Sequence, residues 1–278
     1  AVCPTAAIRI QSCHNSVWRE LYNPKKRVVA QIAPAVRVAI GEAFGMKPGE
    51  DSIGRVFTAM RMMGFDDVFD TCLGADLTIM EETQELAEKL ERDAAAEAAA
   101  GAEEEAQETA SGKKISFPLF TSCCPAWIRY AENLHPEVLP YISTCKSPME
   151  MFGAVIKEYY KEQDEKEGRQ TVSVAVMPCV AKKMEAGREE FIRNGVPDVD
   201  YVITTKELIR MIRESGIRFD EIDPEAPDMP FSISSGAGVI FGVTGGVTEA
   251  ALRRLVKEKN TQTLRDIKFS GIRGMEGV

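Results

Sequence analysis

Thr171-Val172-Ser173-Val174-Ala175-Val176-Met177-Pro178-Cys179-Val180-Ala181-Lys182-Lys183-Met184-Glu185 holds the pattern on which the fold turns. Thr171 to Val176 alternates with period two, as a strand does, and ends at Met177-Pro178-Cys179. A cysteine therefore follows the C-terminal end of a strand, the edge at which open α/β sheets bind ligands. Lys182 lies at i+3 from that cysteine, a cation able to balance an anionic cofactor. A second stretch has the same layout. Ile115 to Phe120 reads as a strand, Thr121-Ser122-Cys123-Cys124-Pro125 follows, and a helix begins at Ala126. Adjacent cysteines do not readily bridge and their side chains diverge, so one can bind a metal while the other faces a different space. Neither stretch has the CxxC spacing of a zinc site. Spacing alone leaves two buried thiols at strand ends as an open alternative.

Outward from these two stretches, strands and helices keep alternating. Arg27 to Ile32 reads as a strand, and Ala35 to Phe44 has helical spacing with Val36, Ile40 and Phe44 on one stripe. Ser52 is placed to cap a helix that runs to Met63 and stops at Gly64, and Asp67 to Thr71 reads as a short strand. Thr78 to Arg92 reads as a helix, Ser147 and Pro148 open another through Tyr160, and Asp200 to Ile203 forms a strand. Thr205 is expected to cap the helix Lys206 to Glu214, and Thr248 to start one ending at Lys259. This alternation predicts an α/β protein of two lobes, each a small parallel or mixed sheet flanked by helices.

Charge marks the boundary. Glu81 to Gly112 holds eleven acids and two bases, which equals the net charge of −9 of the whole 278-residue chain. Ala94 to Ala110 is almost wholly Ala, Glu and Gln, and reads as a solvated helical extension or mobile insert. The expected organisation is residues 1–23 as a leading segment, 24–93 as the first lobe, 94–112 as the insert and 113–278 as the second lobe. Hydrophobic content of 44% and charged content of 28% fit a globular chain of about two domains. The acidic balance argues against nucleic-acid binding, which needs a basic face. The longest uncharged stretch, Met229 to Thr248, is too rich in glycine and polar residues for a membrane span. Ala1 to Arg9 lacks the basic and apolar regions of a signal peptide, so a cytoplasmic location is expected. The seven cysteines are an odd count, which favours reduced thiols or metal ligands over a disulfide framework. Cys13, Cys72 and Cys145 read as small buried hydrophobes. Cys3-Pro4 is the ending that bacterial ferredoxin modules show, a two-residue match.

Together these residues resemble the catalytic domain of the iron-only, or FeFe, hydrogenases. Thr121 to Pro125 resembles the family's TSCCP motif, and Pro178 to Glu185 its PCxxKKxE motif. Ala33-Pro34-Ala35-Val36-Arg37 is similar to APAVR, Gly74 to Glu82 to GADxTIMEE, and Lys146-Ser147-Pro148 to KSP. Ser235 to Val247 is similar to SGAGxIFGxTGGV, giving six motifs in the family's order over the whole chain except the Ala/Glu insert. The resemblance implies reversible heterolysis of dihydrogen at an H-cluster: a 4Fe-4S cubane joined to a diiron centre with carbonyl, cyanide and azadithiolate ligands. It implies Cys124 and Cys179 as cubane ligands meeting across a cleft between the lobes. Lys182 would donate to a cyanide, Ala33 and Pro34 would line one side of the pocket, and Pro148, Met177 and Phe241 would shape it. Cys123 would hand protons to the bridge amine, with Glu82, Ser143 and Glu85 continuing the relay outward. Lys89 stands where the family often has arginine.

The family's third cysteine motif, which supplies the remaining cubane thiolates, has no counterpart before Val278, and the upstream ferredoxin cysteines are missing as well. An internal piece of a longer protein, inactive by itself, is therefore expected. Residues 1–23 would be the end of a ferredoxin-like domain and linker, with Cys3 a ligand of one of the additional 4Fe-4S clusters. The implied partners are dihydrogen and protons, an electron carrier (ferredoxin or a flavoprotein NADH subunit) and maturation proteins. The alternatives are a non-catalytic iron-sulfur assembly protein, a sensory hydrogenase, and a plain α/β protein with buried thiols. Cys123 beside Cys124 favours the enzyme over the first two.

Overall fold

The computed structural model describes residues 4, 5, 7, 10–102, 118–241 and 245–259, with the backbone alone for 94, 96–102 and 256–259. The chain forms two compact units, residues 1–76 with 148–242 and residues 77–147 with 243–278. In chain order the first half contains α1 (His14–Leu21), β1 (Lys26–Ile32), α2 (Val36–Ala39), α3 (Ile53–Met62), β2 (Asp67–Asp70), α4 (Cys72–Ala102) and α5 (Pro125–Leu134). Then come α6 (Pro148–Glu167), β3 (Gln170–Met177), α7 (Ala181–Glu185), β4 (Ile192–Arg193), β5 (Val196–Pro197) and β6 (Tyr201–Thr204). Three helices complete the described residues: α8 (Thr205–Glu214), α9 (Gly236–Ile240) and α10 (Gly246–Lys259).

The first unit is built on one four-stranded parallel sheet in the order β2-β1-β3-β6. The α/β class with a parallel sheet flanked by helices is as expected. The strands are shared differently from the expectation of one sheet per lobe, because β3 and β6 join β1 and β2. The reason lies in β1: Val28, Val29, Ala30 and Ile32 are all at most 1% exposed, so both faces of the strand are covered and both edges paired. Ile32 sits opposite Asp70 on one side and Val176 on the other. The core above and below the sheet includes Val36, Ile40, Val56 and Met60 from α2, its following turn and α3, and Leu208, Met211 and Ile212 from α8. A second cluster joins Val29, Phe69, Phe152, Ile156 and Tyr160.

Several element ends differ from the sequence reading for local reasons. The stripe from Ala35 to Phe44 is split into α2 and a 3-10 turn, Gly41–Phe44. Ser52 stands at the N-cap of α3, but its hydroxyl donates to the Arg37 carbonyl, and Asp51 accepts the Ile53 N–H instead. Thr204, not Thr205, caps α8, in a capping box with Glu207. Glu207 also accepts from Ser12, the Cys13 N–H and Lys183. Burial would raise this carboxyl, but Lys183 and the other donors outweigh it and pull its pKa down to about 2.

Among the described residues, the second unit is helical apart from a parallel bridge between Phe120 and Ile142. That bridge is the described remnant of the strand expected at Ile115 to Phe120, whose first three residues lie outside the described residues. The helix expected at Thr78 starts earlier, at Cys72, and runs through the Ala-rich stretch to Ala102; residues 103–117 lie outside the description.

Gly74, in the first turn of α4, allows α6 to begin against it. A Cβ there would stand 2.4 Å from the Pro148 carbonyl oxygen and 2.9 Å from the Phe152 Cβ. Backbone cannot yield as a side chain tip can, so Gly74→Ala is expected to cost about 3 kcal/mol of stability. Urea unfolding of the two proteins checks this; equal midpoints would show that the helices part without penalty.

Candidate functional site

β1 leads by way of α2 and α3 to β2 on one side, while β3 leads to β6 on the other. The order reverses between β1 and β3, and the crevice beyond their C-terminal ends is the topological switch point at which open α/β sheets take ligands. Ala33-Pro34 leaves β1 there, and Met177-Pro178-Cys179 leaves β3. The Ala33 N–H donates to the Val176 carbonyl at 3.0 Å, so the two exits run side by side. Ala33 and Met177 are buried, Pro34 is half-buried, and Cys179 is exposed.

Arg37 braces this edge. Its Nε donates to the Pro34 carbonyl at 3.2 Å, and its Nη2 donates to Asp70 Oδ2 at 2.5 Å and to Cys72 Sγ at 3.2 Å. Cys72 is fully buried, as expected of a small hydrophobe, and burial pushes its thiol pKa well up. The Lys182 N–H donates to the Cys179 carbonyl at 3.3 Å, and its ammonium donates to Glu185 at 2.6 Å. Lys183 points elsewhere, to Glu207 at 2.9 Å and the Gln11 carbonyl at 3.0 Å. Pro148 opens α6 and is half-buried, as is Phe241 after α9. The segment bearing Phe241 is tied to α4 by Asp76, which accepts from both the N–H and the hydroxyl of Ser235. Asp76 was not singled out from the sequence. Its place in the GADxTIMEE segment was the available signal.

The second unit holds the remaining candidates. Cys123 is half-buried, and Cys124 is the exposed N-cap of α5, with Pro125 in its first turn. Neither is in a disulfide. Glu82 and Glu85 share one face of α4 but have opposite surroundings. Glu82 is 3% exposed, and among the described residues neither carboxylate oxygen has a partner at ordinary hydrogen-bond geometry. Burial first and the charge of Glu85 second raise its pKa to about 7; the nearby Ser122 N–H opposes them only weakly. It lines a cavity of about 140 Å³ together with Leu86, Leu119, Thr121, Ser143 and Thr248.

Glu85 is fully engaged. It accepts from Ser143 Oγ at 2.6 Å, from the Thr144 N–H at 3.4 Å and from Lys89 at 3.1 Å. Burial would raise its pKa, but Ser143 and Lys89 outweigh that and hold it below the ordinary value. Cys145, expected to be an inert apolar thiol, instead approaches Glu85 at 3.6 Å. Burial, with the two glutamates adding to it, pushes its pKa up to about 11. Ser122 Oγ donates to the Cys145 carbonyl at 2.5 Å, tying the cysteine motif to the Ser143 loop.

Cys3 lies outside the described residues. Among the described residues, no three His, Cys, Asp or Glu side chains gather closely enough to hold a metal ion. No described helix is long and apolar enough to cross a membrane.

Residues 26–278 match the family described as iron only hydrogenase large subunit, C-terminal domain. The NADP-reducing hydrogenase subunit HndD of Solidesulfovibrio fructosivorans is 43% identical over the whole chain, which spans 45% of that relative. A solved variant of the FeFe-hydrogenase HydA1 from Chlamydomonas reinhardtii superposes with a TM-score of 0.76 at 40% identity, covering 96% of this chain and 63% of that one. A cytosolic Fe-S cluster assembly factor, narfl of Xenopus tropicalis, is more distant, at 29% identity over 92% of the chain and 53% of the relative. The chain thus spans about half the length of the curated relatives named here.

Proposed function

Because the chain belongs to the family formed by the C-terminal domains of iron-only hydrogenase large subunits, we propose that it forms the larger part of a catalytic domain for reversible dihydrogen heterolysis. The observation that carries this reading is the pair of exposed cysteines outside any disulfide, Cys179 after β3 and Cys124 at the head of α5, whose sequence motifs match those of the family's cubane ligands. The donor set fits an iron-sulfur group. Thiolates are the soft ligands such clusters take, and both cysteines are exposed and outside any disulfide. In this reading Cys124 and Cys179 hold part of the H-cluster, which supplies the redox chemistry when bound. Lys182 donates to an anionic ligand of the cluster. Ala33, Pro34, Pro148, Met177 and Phe241 enclose the group and keep water out.

Cys123 moves protons, and Glu82, Ser143 and Glu85 carry them onward. The contrast between the two glutamates supports this assignment. A carboxyl with a pKa near 7 is poised to take and release protons, whereas Glu85, held ionised by Lys89 and Ser143, offers a fixed acceptor at the outer end. Cys3 is read as a ligand of a further 4Fe-4S cluster in a ferredoxin-like module that ends within residues 1–23. Electron exchange with ferredoxin or a flavoprotein NADH subunit belongs to the same reading, supported by the NADP-reducing relative, and so does a cytoplasmic location. The more distant assembly factors support the non-catalytic alternative less, at 29% identity.

Cys179→Ser in the full-length, matured protein is expected to lower iron per chain and weaken the cluster's visible absorbance. Lys183→Ala, which removes the bond to Glu207, should leave iron content unchanged. Full iron loading of Cys179→Ser would remove Cys179 from the ligand set.

A further inference from the structure

Glu85 Oε2 is met by two donors, and only one of them belongs to the relay read above. Ser143 Oγ donates to it at 2.6 Å, and the Cys145 thiol donates to it at 3.6 Å. The other oxygen, Oε1, takes the Thr144 N–H at 3.4 Å and the Lys89 ammonium at 3.1 Å. A thiol is a weak donor, but an ionised carboxylate strengthens the bond it accepts.

The backbone of Cys145 fixes it in this place. Its N–H donates to Ser143 Oγ at 3.2 Å, and its carbonyl accepts from Ser122 Oγ at 2.5 Å. A hydroxyl has one proton and two lone pairs. The Cys145 N–H takes one lone pair of Ser143, while the hydroxyl proton points at Glu85. Cys145 therefore touches both the hydroxyl that hands a proton on and the carboxylate that takes it. The charges acting on the thiol and its acceptor come from α4, Lys89 beside Glu85 and Glu82 three residues before it. Burial first, with Glu85 and Glu82 adding to it and Ser143 opposing, pushes the thiol pKa up to about 11. The thiol thus stays protonated at neutral pH and remains a donor.

We propose that Cys145 is a positioning residue of the outer proton relay, whose thiol holds Glu85 ionised and in the rotamer that accepts from Ser143. The inference rests on the relay assigned to Glu82, Ser143 and Glu85 above. A donor to the charged form of a carboxyl favours that form. Once Oε2 carries a proton, the S–H faces an O–H, and the protonated state gains less from the thiol than the ionised state does. Cys145 thereby keeps Glu85 from retaining the proton it has just received.

The test compares Cys145→Ala, which removes the donor, with Cys145→Ser, which keeps one. In the full-length protein before maturation, with carbon-13 in its glutamates, the infrared carboxylate band of Glu85 is followed against pH; it is the band that Glu85→Gln removes. In Cys145→Ala the proton affinity of Glu85 should rise about threefold, the scale of one modest hydrogen bond, so the midpoint moves to higher pH. In Cys145→Ser the midpoint should stay at the wild-type value or fall below it, because a hydroxyl is the stronger donor. In the matured protein, the limb of the hydrogen-evolution pH profile that depends on Glu85 should move the same way in Cys145→Ala. A residue that only packs would leave the midpoint in place and lower turnover at every pH alike, and that result would overturn the proposal. A midpoint raised equally in Cys145→Ser would overturn it too, since packing and not donation would then be the cause. If Glu85→Gln leaves turnover intact, the relay reading fails first and the proposal falls with it, a result distinct from failure of Cys145 alone.

Discussion

Cys123→Ala, in the full-length matured protein, is expected to keep its iron and lose hydrogen evolution by roughly 100-fold or more, the scale of a lost general acid. Cys124→Ala is expected to do the reverse at the metal: iron per chain falls, and turnover disappears because the cluster is not held. The two residues are adjacent, yet Cys123 is half-buried whereas Cys124 caps α5 in the open. Cys123→Asp should recover more turnover than Cys123→Ala, because a carboxyl group also exchanges protons. Steady-state hydrogen evolution and iron content per chain separate the outcomes. Near-wild-type turnover in Cys123→Ala would remove it from the proton path. Loss of iron in that variant would make it a ligand or a structural residue.

Glu82→Gln should have two effects of comparable size, one on turnover and one on stability. A relay carboxyl replaced by an amide no longer exchanges protons, so turnover should fall by roughly 100-fold. The stability effect needs no cofactor. Glu82 has its pKa raised in the folded chain to about 7 from 4.5. A folded carboxyl with a raised pKa binds more protons than the unfolded one, so stability is full below 4.5 and declines as pH rises to 7. Above that window the loss amounts to about 3 kcal/mol. Glutamine carries no such charge, so Glu82→Gln should lack this decline and gain on wild type as pH rises. Thermal unfolding from acidic to mildly alkaline pH measures the difference. Parallel curves for the two proteins would mean that Glu82 is solvated and unfit for a relay.

Much of the fold was legible because its signals are local. The period-two run before Pro178 marked β3, and the helical stripes marked α3 and α6. Pairing was harder to see. Nothing in Gln170 to Met177 states that its neighbour is β1, because a parallel partner is chosen by burial of both faces over a separation of more than a hundred residues. The sheet therefore gathered strands that alternation alone had divided between two lobes. Caps moved by single residues for the same kind of reason: Thr204 won over Thr205 because Glu207 sits three residues on and closes the box.

The candidate site divides in the same way. The cysteines, Lys182 and the two glutamates could be named from motifs, since residue type and spacing are what a motif records. Their properties could not. At i and i+3 on one helix, Glu82 and Glu85 are equivalent in the sequence. Only packing buries Glu82 with no partner at ordinary hydrogen-bond geometry among the described residues, while giving Glu85 Ser143, Thr144 and Lys89. Cys145 read as an inert apolar thiol until the Ser143 loop brought it against Glu85.

The sequence by itself determined the α/β class, the family and which side chains are candidates for the chemistry, because these depend on residue type and near-neighbour spacing. The tertiary structure decided which strands share the sheet and so where the switch-point crevice lies between β1 and β3. It also decided which of two like carboxyls has its pKa raised and which lowered, and which lysine meets Glu185. Those outcomes follow from desolvation and from partners remote in the chain, and neither is written in local order.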